Sequence, residues 1–116
     1  MSHYISGHGQ TVAAVRDLLG LSREELAHLL GVSGASVLSW ENDRRRLPAA
    51  VITELQGLQE RAQAETDHLV AGYQARPEVA PVLTITADPE DMPVGWQRRI
   101  AARVAAQVPD LQVVIA

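Results

Sequence analysis

The chain has 116 residues, 47% hydrophobic and 21% charged, with no cysteine and a formal net charge of −4. These totals describe a small globular domain, alone or with an oligomerisation segment, and exclude a disordered chain, a disulfide framework, a thiolate nucleophile and a Cys-ligated zinc. No run of roughly 18 apolar residues and no basic-then-apolar leader appears, so neither a membrane span nor a secretory signal is expected and the cytosol is the default compartment.

Met1 to Gly9, with two glycines, reads as a mobile start. The first helix follows in "QTVAAVRDLLG", where Val12, Val15, Leu18 and Leu19 are expected to share an inward face. In "SREELAHLLG" Ser22 and Glu25 form a capping box that starts a second helix, and Gly31 ends it. Ser33 caps a third helix expected to run to about Asn42 or Asp43, both of which tolerate the left-handed conformation.

Pro48 stands where a first helical turn accepts proline, and the sequence is helical from there to about Gly72. Val51, Leu55, Leu58, Ala62 and Leu69 fall mostly at alternating four- and three-residue steps, a short coiled-coil-like seam. "RPEVAP" breaks the helix, and the β-branched "VLTIT" reads as a strand. Trp96, Ile100, Val104 and Val108 then repeat every four residues on one helical face, and "LQVVI" is a second strand candidate. Whether the two strands pair within one chain or swap between two is open at this point. The expected fold is mainly α: a small helical bundle, a long helix and a strand–helix–strand tail.

Charge is distributed unevenly. Residues 1–48 hold five arginines against five acids, whereas residues 49–116 hold five against nine. The one basic cluster, Arg44 to Arg46, directly follows the third helix, so any affinity for nucleic acid must be local. The histidines show no metal-ligand spacing, and "GVSGAS" is not a nucleophile elbow. No enzyme chemistry and no cofactor are indicated.

Three helices joined by short turns, the second pair through "LGVS", have the pattern of a helix-turn-helix. Ala27 is small where the next helix crosses, Gly31 turns the chain, Val32 plugs the gap, and Val37 and Trp40 face inward. The stretch "LSREELAHLLGVSGASVLSWEN", with the following "RRRLP", resembles the lambda-repressor-like (Cro/XRE-type) helix-turn-helix family. The resemblance implies a DNA-binding domain over residues 1–48 and a dimerisation region over residues 49–116. It also implies that Ser33 opens the recognition helix and that Gly34, Ala35 and Ser39 face bases. Arg23, Asn42, Arg44, Arg45 and Arg46 match backbone-contacting positions.

Two departures from the family pattern stand out. Asp43 replaces the usual glycine and is expected to bring a carboxylate near the phosphates. Gly34 and Ala35 remove long base readers, which leaves Ser36 and Ser39 for hydrogen bonds, Ala35 or Leu38 against a thymine methyl, and Asn42 for adenine.

So sparse a helix would bind one half-site weakly. The expectation is therefore a homodimer on a palindromic operator in double-stranded DNA, with Val51, Leu55, Leu58, Ala62, Leu69, Trp96 and Ile100 at the dimer interface. The 68 residues after the DNA-binding half carry no obvious ligand-binding domain, which favours an autoregulating repressor. The layout is also similar to small phage and mobile-element repressors, including anti-CRISPR-associated regulators. Two rival readings are an antitoxin whose tail binds a toxin while the helix-turn-helix binds its own promoter, and an interaction adaptor that has lost DNA binding.

Overall fold

The computed structural model describes residues 4–5 and 7–116. Of the expected mobile start, residues 1–3 and 6 lie outside the described residues, but Tyr4–Ile5 form a short strand, β1. It pairs antiparallel with β2, Leu47–Pro48. Two compact units divide the chain, Met1–Gln59 and Glu60–Ala116.

In the first unit α1 runs Gly9–Leu19, α2 Arg23–Leu30 and α3 Gly34–Glu41. The local signals act as expected. Ser22 and Glu25 make a reciprocal capping box at α2, and Gly31 closes that helix at φ 69°. At α3 the Ser33 hydroxyl accepts the Ser36 N–H. The left-handed residue beyond α3 is Asp43, at φ 59°, one residue past Asn42.

Val12, Leu19, Leu21, Leu26, Ala27, Val37, Trp40 and Leu47 are buried. The inward face of α1 differs from expectation. Val15 is half-buried and Leu18 is 51% exposed, because the helix turns inward along Val12, Arg16 and Leu19. A charged residue thus sits on the core side of α1, where Glu41 neutralises it (below).

The helix α4 spans Ala49–Gln74, and Pro48 lies one position before it rather than in its first turn. In the second unit β3 is Val82–Ile85, α5 is Val94–Ala105 and β4 is Gln112–Ile115. The two strands pair with each other, parallel and within the one chain, with Val82 opposite Gln112 and Ile85 opposite Ile115. A parallel pair needs a crossover, and α5 provides it. Trp96, Ile100 and Val104 are buried as their spacing requires. Val108 lies beyond the end of α5 and is half-buried, its amide bonded to the Val104 carbonyl at 2.8 Å.

The expected seam on α4 is corrected in two respects. The buried positions are Val51, Leu55, Ala62, Thr66 and Val70, while Leu58 and Leu69 are only half-buried. Thr66 can replace an apolar residue because its hydroxyl donates to the Ala62 carbonyl at 2.8 Å, leaving nothing unsatisfied. Val51, Leu55, Ala62, Trp96 and Ile100, all expected at a dimer interface, are buried within a single chain.

Candidate nucleic-acid interface

The outer side of α3 is short of long side chains. Ala35 is exposed, Leu38 is 42% exposed, and Gly34, Ser36 and Ser39 are half-buried. Ser33 is committed to capping, and its hydroxyl also lies 3.1 Å from the Ser36 hydroxyl. Arg45 reaches back to that pair, with its Nη1 3.4 Å from Ser36 Oγ.

The loop after α3 is tied to the helix by its backbone. The Arg44 and Arg45 amides both donate to the Ser39 carbonyl, at 2.9 and 3.2 Å. Asn42 Oδ1 accepts the Arg44 N–H at 3.3 Å, so the side chain expected to read an adenine also closes the turn. The exposed side chains of Arg44, Arg45 and Arg46 are therefore carried on a turn bonded to the last turn of α3.

Asp43 has a role inside the fold: its Oδ1 accepts the Gly9 N–H at 3.2 Å, satisfying a donor at the start of α1 that the His8 side chain does not cap. The carboxylate placed by sequence near the phosphates thus serves as a cap for a helix 34 residues away in sequence. Gly9 allows this close approach. A Cβ there would lie 2.6 Å from the Trp40 carbonyl oxygen and 2.8 Å from the Glu41 carbonyl carbon.

Behind α3 lies an ion-pair cluster. Glu41 pairs with two arginines from other helices. Arg16 Nε and Nη2 donate to its two oxygens at 2.7 and 3.2 Å, and Arg23 Nε donates at 2.8 Å. Arg16 Nη1 also donates to the Leu21 carbonyl at 3.0 Å.

The Glu41 side chain is 4% exposed and Arg16 14%, against 49% for Arg23. Burial alone would raise the Glu41 pKa, but the hydrogen bonds and charges of Arg16 and Arg23 outweigh it and hold the carboxyl below its ordinary value. Its hydrogen bond to Glu41 raises the Arg16 pKa against desolvation. Arg23, expected to contact a phosphate, spends one of its five donors on Glu41. The sequence signal for Arg16 was its place between Val12 and Leu19 on one helical stripe.

The second unit has its own polar cluster. Trp96 Nε1 donates to Glu65 Oε2 at 2.9 Å, Arg61 pairs with Glu65 at 3.0 Å, and the Arg61 guanidinium lies 5.8 Å from the Trp96 ring centre. Gln97 clamps the turn before α5: its Oε1 accepts the Thr86 N–H, and its Nε2 donates to the Thr86 and Met92 carbonyls. Between them opens a concavity of about 410 Å³, lined by Leu69, Leu83, Met92 and Ile100 as well as Trp96. Small as the tail is, it is shaped.

Residues 12–56 match the family model described as Helix-turn-helix, and this segment is of the Cro/C1, lambda-repressor-like type. No curated protein matches the chain. Among the described residues, no helix is long and apolar enough to cross a membrane.

Proposed function

We propose that this chain, which its Cro/C1-type helix-turn-helix over residues 12–56 makes a DNA-binding transcriptional regulator, acts as a dimeric repressor at a palindromic operator. The observation that carries the reading is the ordered basic turn. Arg44 and Arg45 are fastened through their amides to Ser39, on the same helix whose Ala35 and Leu38 are exposed. The helix start would enter the major groove while Arg44, Arg45, Arg46 and Arg23 hold phosphates on either side.

Phosphate contacts supply affinity but little sequence information, and the α3 side chains are short. A second copy on a half-site about 34 Å along the duplex would supply the missing specificity. The tail offers a surface that would suit pairing. Val113 and Ile115, on one face of the strand pair, are 42% and 71% exposed, and Val82, on the other face, is 45% exposed, although parallel strands are usually covered on both faces. A two-stranded sheet is marginal alone, so a second copy laid against β3–β4 would stabilise both.

The test is protection of DNA upstream of the chain's own gene, at about 50 mM salt where phosphate contacts are strongest. A protected palindrome supports the reading, and no binding under these conditions refutes it. The same exposed strands also suit a protein partner, as in an antitoxin. Copurification of a second protein in place of a homodimer would favour that alternative.

A further inference from the structure

Gly34 opens α3 without a side chain, and the structure places another residue's side chain over that gap. The Glu24 carboxylate, from the first turn of α2, covers Gly34. A Cβ added at Gly34 would collide with Glu24 Oε1 and lie 2.6 Å from Cδ and 2.9 Å from Oε2. Glu24 is exposed. The carboxylate borders an open concavity of about 460 Å³ lined also by Ser22, Arg23, Ala35 and Leu38, the side chains at the start of the candidate reading surface.

We propose that Glu24 is a specificity-determining residue: its carboxylate reads a cytosine amino group at the base pair facing the start of α3, in place of the side chain that α3 lacks. The inference rests on the DNA-binding reading and adds a reader from the neighbouring helix. A carboxylate accepts from cytosine N4 and has no proton to offer the acceptor edges of guanine or thymine. It therefore rejects those bases, and it favours cytosine over adenine because the N7 acceptor beside adenine N6 repels the carboxylate, a discrimination that serine and alanine cannot make.

One feature makes a negative charge tolerable there: the first N–H groups of α3 present the positive end of its dipole. Gly34 then has a stated role, because any side chain would displace the carboxylate.

The experiment is selection of binding sites from random DNA duplexes with the full chain and with Glu24→Ala, Glu24→Gln and Gly34→Ala. Circular dichroism would establish that each is folded. The native chain is expected to enrich cytosine at one position of each half-site. Glu24→Ala should lower that preference about tenfold, and Gly34→Ala should weaken it at the same position, because both take the carboxylate from its place. Glu24→Gln is expected to move the preference toward adenine.

A native operator whose base preferences survive unchanged in both Glu24→Ala and Gly34→Ala overturns this inference alone. So does a uniform rise in affinity for all sequences on Glu24→Ala, which would make the carboxylate merely repulsive. A native chain that enriches no sequence overturns the DNA-binding reading and this inference with it.

Discussion

Arg16 on α1 and Glu41 at the end of α3 face each other through paired hydrogen bonds of 2.7 and 3.2 Å, with side chains 14% and 4% exposed. A pair so enclosed acts by not being broken: removing Arg16 leaves a desolvated Glu41 charge matched only by the half-exposed Arg23. Arg16→Ala is expected to cost about 3 kcal/mol of stability, read by urea denaturation. Arg23→Ala should cost under about 1 kcal/mol, because Arg23 is half-exposed and its bond to Glu41 is largely screened. Equal losses from the two substitutions would show that the cluster is not centred on Arg16.

The same carboxylate makes the fold sensitive to acid. Glu41 titrates below its ordinary value in the folded chain, so the unfolded chain takes up the proton first as pH falls. Its contribution is therefore complete above the unfolded value of about 4.3 and is lost as pH drops through the lower folded value. The melting temperature of Glu41→Gln should lie below that of the native chain at pH 7, and the gap should narrow as pH falls below about 4. A constant gap from pH 7 to pH 3 would remove Glu41 from the acid response.

Gly9 packs against backbone, which cannot swing aside as a side chain can. Gly9→Ala sets a methyl group against the Trp40 and Glu41 carbonyls and is expected to cost about 1–3 kcal/mol, the usual range for overpacking. Asp43→Ala loses the bond to the Gly9 amide and should cost about 1 kcal/mol, the value of a helix cap. Thermal melts of the two variants test the packing of α1 on the end of α3 from its two sides.

The basic turn should act on affinity and leave stability unchanged. Replacing Arg44, Arg45 and Arg46 together with alanine removes exposed charge while keeping the amide bonds to Ser39. Binding should weaken on all sequences, and the slope of log K against log salt should flatten by about 0.9 for each phosphate that is no longer neutralised. An unchanged slope in a salt titration would place the turn off the DNA.

Val113 and Ile115 are exposed in the monomer, so charge at these positions should not unfold it. Val113→Glu with Ile115→Glu is expected to give folded monomers that bind the operator poorly, measured by light scattering and gel shift. A variant that remains dimeric would move the interface elsewhere, with half-buried Leu58 and Leu69 on α4 as the next positions to test.

What the sequence determined by itself was local. The Ser22–Glu25 box, the Gly31 turn and the Ser33 cap each act over three or four residues, so spacing alone located α2, α3 and the turn between them. The four-residue repeat of Trp96, Ile100 and Val104 likewise identified the buried face of α5. Tertiary structure decided matters between residues distant along the chain. It turned α1 to bring Arg16 inward, because Glu41 waited there from 25 residues away. It bonded the Asp43 carboxylate to the Gly9 amide, and it paired β3 with β4 in parallel within the chain. It also laid Glu24 over the bare start of α3. A cap or a stripe is written in neighbouring residues, but the partner of a charge is found only when the helices that carry both have packed.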